Sequence, residues 1–519
     1  MNTAKSMSQE MTLALLLESK VDIPEKYNLV LTGIEMDSRK IESGDLFIAC
    51  KGANFDGRDF VSEVIKKGAA AVLVEKGELW QEINVENNVP IIPVENLASQ
   101  ISSLAAKFFN KPADHLNLIG ITGTNGKTSA CQFISKTVAS LNHICGASGT
   151  LGFSIYGKEY IEGDTNANYS SALGATPSTT PDPITVQRIF SEMLQQNADT
   201  MVMEVSSHGL KQGRVCINEF DIAVFTNLTR DHLDYHHSMH AYGKEKLKLF
   251  LGSRLSVAVL NMDDLFSATI LNNLSRRVKS YTYSLNNSQA DVYPEDVKFL
   301  RKGFKLSVVS PWGKGTIETG LLGSFNVSNL LAVLTTVMAL ESKHSDFDFE
   351  RVLLKVSSVS PVKGRMELIG DKPVSVVVDY AHTPDALENA LNALHEHFKG
   401  KIWCVFGCGG ERDKGKRPMM ARIAENLADE LIVTDDNPRQ EASSDIIKQI
   451  LAGFTGNEKV MVESDRAIAI DFAIANATEG DVVLIAGKGH EEYQDIGAKR
   501  MMFSDVKQAR LSLNKRFSD

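Results

Sequence analysis

Short apolar runs rich in Val and Ile alternate with longer amphipathic stretches along most of the chain. The runs indicate buried strands, and the stretches indicate helices that pack on those strands. The apolar runs are 70–75, 116–121, 200–206, 375–381, 401–407 and 481–487, and the amphipathic stretches are 97–109, 127–141, 384–394 and 419–428. This alternation predicts an α/β protein of stacked layers with largely parallel sheets.

Two polar segments that contain proline interrupt the alternation. Asn110-Lys111-Pro112 precedes a new strand, and the Ser-rich segment 357–361 follows a helical stretch. Segments of this kind often connect domains. We therefore predict three domains, which span residues 1–112, 113–360 and 361–519. Residues 152–178, rich in Gly, Ser, Asn and Ala, are expected to form a long loop.

Composition and charge narrow the class of protein. The 519 residues include 55 basic and 65 acidic side chains, a formal net charge of −10, with no long block of one sign. This balance argues against a nucleic-acid protein that depends on a general basic surface. The six cysteines form no CxxC pair, which favours a reducing compartment. No apolar run reaches the ~20 residues of a membrane span, so we expect a cytoplasmic protein and a buried helix at 329–341.

The strongest local motif is GTNGKT at 123–128, between an apolar strand and a helix. Its glycines let backbone N–H groups surround phosphate oxygens, Lys127 adds charge, and the Thr128 hydroxyl can reach Mg²⁺. The match to the phosphate-loop pattern is imperfect, because Ile121 stands where the pattern has its first glycine. The strand–loop–helix context favours phosphate binding over an ordinary glycine-rich turn.

Two charged residues fall in apolar surroundings. Glu204 ends a buried run, where a carboxylate can hold Mg²⁺ or can simply face solvent. Lys246 shares an apolar helical stripe with Tyr242, Leu249 and Phe250. An unpaired ammonium is costly there. The lysine is therefore extended to water, partnered at an active site or chemically modified, and periodicity leaves these alternatives open.

A set of motifs occurs together and in one order along the chain. These are GTNGKT, MEVSSHGL (203–210), TNLTRDHLDYH (226–236), GSFNVSN (323–329), GRME (364–367), VDYAHTPDAL (378–387) and AGKGHE (486–491). In these motifs the chain resembles the Mur ligases, the ATP-dependent amide-forming enzymes of peptidoglycan precursor synthesis. Three more segments are similar to the member that adds the third amino acid, namely DSR…GDLF (37–47), CVFGCGGERDKGKRP (404–418) and TDDNPR (434–439).

The resemblance implies an architecture and a reaction. The expected domains are an N-terminal UDP-binding unit, a central ATP-binding unit with a phosphate loop and a parallel sheet, and a C-terminal Rossmann-like unit for the amino acid. ATP, as cosubstrate with Mg²⁺, would phosphorylate the D-glutamyl γ-carboxylate of a UDP-N-acetylmuramoyl dipeptide. The amine of meso-2,6-diaminopimelate would then displace the phosphate. We also expect a monomer in the cytoplasm that binds no nucleic acid and does not insert into a membrane.

The same resemblance implies the nucleotide and metal residues. The expected ATP contacts are Gly123, Thr124, Asn125, Gly126, Lys127, Thr128, Asn326, Asn329, Arg365 and Asp379. The expected metal ligands are Thr128, Glu204, His232 and Lys246, and the catalytic residues are Lys127, Glu204, His232 and Lys246. Lys246 matches the lysine that the family carbamylates, which would turn a buried cation into an anionic ligand. Pro384 is expected to begin a helix capped by Thr383, which places His382 at a strand–helix junction.

The two other substrates have implied contacts as well. Those for the UDP-sugar peptide are Met36, Ser38, Thr179, Thr180, Ser206, Gln212 and Arg214. Those for diaminopimelate are Arg412, Asp436, Asn437, Pro438, Arg439, Gly487 and Glu491. Diaminopimelate has one carboxylate more than lysine, so the bidentate fork of Arg439 favours it. The alternative for Arg439 is an ordinary salt bridge in a Pro-containing turn.

The chain departs from the family pattern at a few positions. Ser178 stands where Asn is frequent, residues 53–55 are Ala-Asn-Phe in a variable segment, and His237 replaces a usual glycine. None of these changes removes a reacting group. The first two affect fine substrate contacts, and the third is expected to affect a turn.

Other functions remain as alternatives. An L-lysine-adding ligase of the same family would share nearly every motif. A folylpolyglutamate synthase-like ligase shares the ATPase core but is disfavoured by the DSR…GDLF and DNPR segments. A non-catalytic nucleotide-sensing module is disfavoured by the intact reacting residues. An NAD oxidoreductase is disfavoured because the GCGG segment at 407–410 continues with Arg412 where a dinucleotide motif needs glycine.

Overall fold

The computed structural model describes residues 10–18, 20–52, 56–157, 178–345, 347–456 and 460–517. The segment 53–55 and most of the expected 152–178 loop lie outside these residues. The strands are β1 (Gly33–Glu35), β2 (Asp45–Ala49), β3 (Ala71–Glu75), β4 (Asn84–Glu86), β5 (Val89–Val94), β6 (Asn117–Thr122), β7 (Cys145–Gly149), β8 (Gly152–Tyr156), β9 (Thr200–Glu204), β10 (Ile222–Phe225), β11 (Val257–Asn261), β12 (Lys279–Tyr283), β13 (Tyr293–Leu300), β14 (Gly303–Ser310), β15 (Gly313–Thr319), β16 (Glu367–Gly370), β17 (Ser375–Asp379), β18 (Ile402–Phe406), β19 (Glu430–Val433), β20 (Val460–Val462), β21 (Val482–Ala486), β22 (Tyr493–Ile496) and β23 (Lys499–Met502).

Helices alternate with these strands in the order that the sequence predicts for most of the chain. They are α1 (Leu13–Leu17), α2 (Val61–Lys66), α3 (Leu97–Phe108), α4 (Lys127–Ser140), α5 (Pro183–Gln195), α6 (Ser207–Lys211), α7 (Leu233–His236), α8 (Met239–Leu247), α9 (Phe266–Asn273), α10 (Ser324–Glu341), α11 (Phe349–Ser357), α12 (Pro384–His397), α13 (Lys416–Leu427), α14 (Ser443–Leu451), α15 (Arg466–Asn476) and α16 (Asp505–Phe517).

The chain divides into two units. Unit 1 contains the residues up to Gly120, His143–Asp221 and Leu251–Leu255, and unit 2 contains Ile121–Asn142, Ile222–Phe250 and the residues from Ser256 onward. The division falls inside β6, between Gly120 and Ile121.

Unit 1 has a five-stranded sheet in the order β1-β2-β3-β5-β4, parallel except for its edge strand β4. The apolar faces of α1 and α3 cover it, and their leucines and isoleucines form a common core with β2, β3 and β5. Elsewhere in unit 1, β7 pairs parallel with β9 and antiparallel with β8.

Unit 2 contains the larger sheet system. Its six-stranded sheet has the order β16-β17-β21-β18-β19-β20, and β17, β21, β18, β19 and β20 run parallel. Helices lie on both faces, with α12, α13 and α14 on one core and α15 and α16 on the other. Strands β10, β11 and β12 pair parallel as well. Because the carboxyl ends of parallel strands share one edge, the loops after β17, β18, β19 and β21 gather there.

Several sequence expectations agree with these elements. The α/β alternation with parallel sheets is confirmed, and Thr383 caps α12 by accepting the Ala386 N–H, with Pro384 at the first position. The apolar run at 329–341 belongs to α10, which is long and apolar enough to span a membrane, but 78% of its apolar window is buried in the protein. It packs against α4 and α11 as a core helix of unit 2.

The structure also differs from the sequence expectations. The prediction of a loop over 152–178 is wrong at its start, because Gly152–Tyr156 form β8 and pair with β7. The antiparallel sheet β13-β14-β15 was not expected, since β13 alternates only weakly between exposed and half-buried residues. The helix that carries Lys246 ends at Leu247 and continues as a 3₁₀ turn, although Leu249 and Phe250 are buried as the stripe predicts.

Truncating a buried side chain of α10 tests whether this helix belongs to the core. Leu334 is fully buried in α10, so Leu334→Ala should lower the free energy of unfolding by ~2–5 kcal/mol through lost contacts and a cavity. Leu354→Ala on α11, where the leucine is 67% exposed, should change it by no more than ~0.5 kcal/mol. Urea denaturation followed by circular dichroism measures both. Equal losses in the two variants would contradict the assignment of α10 to the core.

Candidate active site

The phosphate-loop motif forms a tight turn between β6 and α4. Gly126 has a left-handed φ of 83° and immediately precedes the first residue of α4. A Cβ at this position would lie 2.6 Å from the Asn329 side-chain oxygen, so both conformation and space require glycine. The turn ends at the N-terminus of a 14-residue helix, where backbone N–H groups and the helix dipole favour an anion.

Residues after β10 hold this turn in shape. The Asn227 carbonyl oxygen accepts the Thr124 N–H at 2.9 Å, and its side-chain oxygen accepts the Asn125 N–H at 2.8 Å. Thr226 Oγ1 donates to the Asn125 carbonyl oxygen at 2.6 Å. Asp385, in the first turn of α12, accepts Asn125 Nδ2 at 2.5 Å. These bonds come from two other segments, so the loop is organised by the protein itself.

Two lysine side chains converge on the Gly123 carbonyl oxygen. Lys127 Nζ donates to it at 2.9 Å and to the Thr124 carbonyl oxygen at 2.7 Å. Lys246 Nζ donates to it at 2.6 Å, is only 1% exposed, and lies 4.4 Å from the centre of the Tyr242 ring. Burial lowers the pKa of Lys246 well below its ordinary value, and the Lys127 charge lowers it further. The Lys246 amine therefore favours its neutral, nucleophilic form.

The segment before α7 adds a carboxylate and an imidazole, and the loop after β17 adds a second imidazole, His382. His232 has a φ of 53°, and its Nε2 lies 3.3 Å from Asp231 Oδ2. Lys416 Nζ donates to the His382 carbonyl oxygen at 2.7 Å. Burial and then the charge of Lys416 lower the pKa of His382 to about 4, so this ring is neutral at pH 7. His237 has a φ of 65° at the end of α7, which explains why glycine suits that position in the family.

Arg365 joins the phosphate loop to the loop after β17. Its Nη2 donates to Thr128 Oγ1 at 3.4 Å, and its guanidinium carbon lies 4.3 Å from the Tyr380 ring centre. Asp379 ends β17, and its Oδ2 accepts the Met366 N–H at 2.7 Å. Burial raises the pKa of Asp379, and the Arg365 charge opposes that rise.

The two asparagines of α10 lie beside the loop. Asn329 Nδ2 donates to Asn326 Oδ1 at 3.0 Å, and Asn326 Nδ2 donates to the Leu322 carbonyl oxygen at 2.8 Å. Both side chains are buried, and the Asn329 oxygen is the atom that crowds Gly126. The structure therefore brings every predicted nucleotide residue of unit 2 to the surroundings of one loop.

In unit 1, Glu204 is the centre of a separate polar cluster. Its side chain is buried, with Oε1 accepting the Thr150 N–H at 2.8 Å and Oε2 accepting Thr150 Oγ1 at 3.2 Å. Thr179 Oγ1 lies 3.2 Å from Thr150 Oγ1. Thr180 Oγ1 bonds the Glu204 carbonyl oxygen and the Ser206 hydroxyl, each at 3.0 Å. A buried carboxylate in such a setting needs donors or a metal ion to offset its desolvation.

Arg214 continues this cluster. Its Nη1 donates to the Ser178 hydroxyl at 3.0 Å and to the Thr180 carbonyl oxygen at 2.7 Å, and its Nε donates to Gln212 Oε1 at 2.8 Å. Five residues predicted to contact the UDP-sugar peptide thus lie together with Glu204. The other two, Met36 and Ser38, follow β1 in the same unit, where the Ser38 carbonyl oxygen accepts Lys67 Nζ at 2.8 Å.

At the strand ends of the six-stranded sheet, the side chains of Arg412 and Arg439 both lie beside Gly409. Arg439 Nη1 donates to the Gly410 carbonyl oxygen at 2.7 Å. A Cβ on Gly409 would lie 3.0 Å from Arg439 Nη1 and 3.8 Å from Arg412 Cγ. Within the described part of the chain the Arg439 guanidinium bonds backbone, not a carboxylate, so the salt-bridge alternative for Arg439 is not what the structure places there.

Acidic and amide groups lie at the same strand ends. Asn437 Nδ2 donates to Glu491 Oε2 at 2.9 Å, and Lys488 Nζ bonds Asn437 Oδ1 at 3.0 Å and Glu491 Oε2 at 3.1 Å. A Cβ on Gly487 would meet Asp436 Oδ2 at 2.5 Å. Every residue predicted to bind diaminopimelate therefore falls on two loops and the segment after β21.

Several residues of these clusters were not predicted as site residues. Lys488 and Asp385 lie inside quoted motifs, AGKGHE and VDYAHTPDAL, so motif membership was the available signal. Thr150 and Asn227 act through contacts with residues more than fifty positions away, and nothing local in the sequence indicates such a partner.

The strand, the glycine-rich loop and α4 form an arrangement that is typical of phosphate-binding α/β proteins. Similarity to known protein families identifies the class more closely. Three family models match: the Mur ligase family, catalytic domain over 30–109, the Mur ligase middle domain over 121–337, and the Mur ligase, glutamate ligase domain over 364–489. The chain belongs to the Mur ligase family. Its members are ATP-dependent, ADP-forming amide ligases, which confirms the predicted enzyme class. The similarity to a solved structure of the family confirms the predicted three-domain α/β fold.

Individual relatives share nearly the whole chain. The chain is 44% identical over 491 residues to the UDP-N-acetylmuramoyl-L-alanyl-D-glutamate–2,6-diaminopimelate ligase of Coxiella burnetii, covering 94% of this chain and 96% of the relative. It is 45% identical over 491 residues to the ligase of the same name from Pseudomonas aeruginosa, with the same coverage. A solved structure of a ligase of that name superposes with a TM-score of 0.67 at 34% identity, covering 98% of this chain and 99% of the other.

The crowding at Gly126 gives a test of the phosphate loop. Gly126→Ala places a methyl group against Asn329 and forces an unfavourable φ, so nucleotide affinity should fall by about tenfold or more. Gly320→Ala is the matched control, because nothing lies within 4 Å of its added Cβ. Calorimetric titration with ADP measures both variants. Unchanged ADP affinity in Gly126→Ala would show that this turn does not hold the phosphates.

Proposed function

We propose that the chain adds meso-2,6-diaminopimelate to UDP-N-acetylmuramoyl-L-alanyl-D-glutamate at the expense of ATP, the activity that the names of its relatives describe. ATP transfers its γ-phosphoryl group to the D-glutamyl γ-carboxylate, which gives an acyl phosphate and ADP. The amine of diaminopimelate attacks the acyl carbon, the C–N bond forms, and phosphate and a proton are released. A carboxylate alone is a poor electrophile, and the phosphoryl group makes it reactive.

The observation that carries this proposal is the grouping of charges at the strand ends of the six-stranded sheet. The side chains of Arg412 and Arg439 lie beside Gly409. Asp436 and Glu491 lie at the same strand ends, where Lys488 bonds Glu491. Diaminopimelate carries two carboxylates and two ammonium groups, so a site with both cationic and anionic side chains suits it. Arginine suits carboxylate because its planar fork donates two parallel hydrogen bonds.

The residues around the phosphate loop would hold ATP and neutralise it. Residues 123–128 would surround the β- and γ-phosphates, and Lys127 and Arg365 would offset their charge so that the substrate carboxylate can approach. Asn326 and Asn329 would contact the adenine side, and Asp379 would accept a ribose hydroxyl. The contacts of Asn329 with Gly126 and of Arg365 with Thr128 support this grouping.

Thr128, Glu204, His232 and a carbamylated Lys246 are the proposed Mg²⁺ ligands, and bound Mg²⁺ would supply positive charge to the phosphate oxygens. Oxygen-rich donors of this kind suit that ion. The Asp231 carboxylate 3.3 Å from His232 Nε2 would orient the imidazole. Carbamylation joins the neutral Lys246 amine to the carbon of CO₂ and releases one proton. The buried, neutral-leaning amine supports that reaction.

The cluster around Glu204 would receive the UDP-sugar peptide. Thr179, Thr180, Ser206, Gln212 and Arg214 would donate to its phosphate and peptide groups, and Met36 and Ser38 would contact uridine. The connected hydrogen bonds of the first five support a single binding surface in unit 1.

Selection of the third amino acid would depend on Arg439. Lysine would leave this guanidinium without its anion, at a cost of about 1–3 kcal/mol or more for an unsatisfied charged donor. We further propose three domains with boundaries near 112 and 360, and a monomer that works in the cytoplasm without a nucleic-acid partner or membrane insertion. The wide spread of the family matches along the chain supports the domain layout.

A coupled assay of phosphate release tests the function. With ATP and UDP-N-acetylmuramoyl-L-alanyl-D-glutamate, meso-diaminopimelate should support release at least ~100-fold better than L-lysine. Arg439→Ala should raise the KM for diaminopimelate and leave the KM for ATP within about twofold, because Arg439 lies in the loop after β19 and is not among the residues proposed to hold ATP. Release with lysine alone would keep the ligase and overturn the choice of amino acid. Phosphate release with a folate substrate only would favour a folylpolyglutamate synthase-like ligase. The absence of phosphate release with every substrate would favour a nucleotide-sensing module.

Lys246 gives a second test. Lys246→Ala removes the proposed carbamate and should lower kcat by ~100-fold or more, and added formate or acetate should restore part of it by replacing the carboxylate. Lys244→Ala, an exposed residue on the same helix, is the matched control and should retain activity. Wild-type-like rates in Lys246→Ala would contradict the carbamate role.

A further inference from the structure

Two loops carry the arginines proposed for the distal carboxylate of the amino acid. The 407–415 loop follows β18 and carries Arg412, and the 434–442 loop follows β19 and carries Arg439. Recognition of one planar carboxylate by groups on two loops requires that the spacing of the loops be fixed. Loops are otherwise the more mobile parts of a fold.

The backbones of the two loops touch at Gly410. Its N–H donates to the Asn437 carbonyl oxygen at 2.9 Å, and its carbonyl oxygen accepts Arg439 Nη1 at 2.7 Å. A Cβ on Gly410 would lie only 1.8 Å from the Pro438 carbonyl oxygen. The two loops therefore approach as closely as a residue without a side chain permits.

Next to this contact, the buried Arg417 forms an ion pair with the partly buried Glu441. Arg417, in the first turn of α13, has no exposed side-chain surface, and its Nη1 and Nη2 bond Glu441 Oε1 and Oε2 at 2.7 and 2.8 Å. Nη1 also donates to Gln449 Oε1 at 2.8 Å, and Nη2 to the Gly409 carbonyl oxygen at 3.1 Å. One guanidinium thus bonds both loops and α14.

Glu441 returns to the 407–415 loop from the other side. Its Oε2 accepts the N–H of Glu411, the residue before Arg412, at 3.2 Å, and Lys414 Nζ lies 3.2 Å from its Oε1. Glu411 has a left-handed φ of 54°, a conformation that needs support in a residue with a side chain. The hydrogen bonds of Arg417 hold the pKa of Glu441 at about 2, so this carboxylate stays charged at neutral pH.

We propose that the Arg417–Glu441 ion pair is a positioning element that sets the spacing of Arg412 and Arg439, and thereby selects an amino acid with a distal carboxylate. Neither residue needs to touch the substrate. This inference rests on the proposed function, because the ion pair matters only if Arg412 and Arg439 bind the distal carboxylate of the amino acid.

The physical reason is the narrow tolerance of bidentate recognition. A buried Arg–carboxylate pair fixes a separation rigidly, because both groups are planar and two parallel hydrogen bonds define their relative orientation. A displacement of about 1 Å in groups that orient a substrate can cost on the order of a hundredfold in rate. Loosening the pair should therefore weaken contacts to the distal carboxylate more than any contact that lysine also makes.

The experiment compares Arg417→Met and Glu441→Gln with the wild type in the phosphate-release assay. Each variant should lower kcat/KM for meso-diaminopimelate by about tenfold or more and lower the ratio of diaminopimelate to lysine turnover, while the KM for ATP stays within about twofold. The ratio of diaminopimelate to lysine turnover and the KM for ATP distinguish positioning from general damage. A misfolded enzyme would lose its activity with both amino acids and its affinity for ATP together. Glu441→Gln, nearly isosteric, serves if Arg417→Met fails to fold, and thermal unfolding reports folding in each case.

Arg254→Met is the matched control. Arg254 forms a bidentate pair with Asp221 at 2.9 Å for each bond in unit 1, so its loss removes a similar ion pair without touching either loop. It should leave the amino-acid ratio unchanged. Folded variants at 417 and 441 that keep the wild-type ratio would overturn the positioning role. A wild type inactive with diaminopimelate would instead overturn the proposed function, and the two failures are thereby distinguished.

Discussion

The carbonyl oxygen of Gly123 accepts hydrogen bonds from two lysines, and this contact constrains the rest of the phosphate site. Lys127 and Lys246 reach the same atom from α4 and α8. Burial and then repulsion by the Lys127 ammonium group lower the pKa of Lys246, so Lys246 loses its proton more readily than an exposed lysine does. The loop, the helix N-terminus and α8 must all be held in place for this arrangement, which is why Thr226, Asn227 and Asp385 brace the loop from other segments.

The buried cations of the C-terminal half of unit 2 are stabilised differently. Arg417 pairs with Glu441, Arg466 pairs with Asp505, and Lys488 bonds Glu491. Each of these cations also bonds a carbonyl or amide oxygen at the end of a parallel strand or in the loop that follows one. Removing one partner of such a pair leaves an uncompensated charge. The pairs therefore fix the loops that follow the strands, whereas Lys246 bonds a carbonyl oxygen and lies against an aromatic ring.

Much of this was available in the sequence, for reasons that are local. The apolar runs and the 3.6-residue periodicity predict β17, β18, β21 and α12, and the stripe through Tyr242 predicts the burial of Lys246. What was missed depends on partners. Glu441 and Arg417 are 24 positions apart, and nothing near either residue indicates the other. Strand β13 was missed because its residues are exposed or half-buried, so its pattern resembles that of a loop.

The glycines of the site show how a motif encodes geometry that its own residues do not reveal. At Gly123 an added Cβ would meet Thr226 Oγ1, at Gly410 the Pro438 carbonyl oxygen and at Gly487 the Asp436 carboxylate, at 1.8, 1.8 and 2.5 Å. Each colliding atom belongs to a different segment from its glycine. A glycine in these motifs therefore records the close approach of a second loop, and the charged residue beside it acts on a ligand only if that approach is kept. The chemistry of the lysines and arginines is thus conditional on positions that carry no side chain.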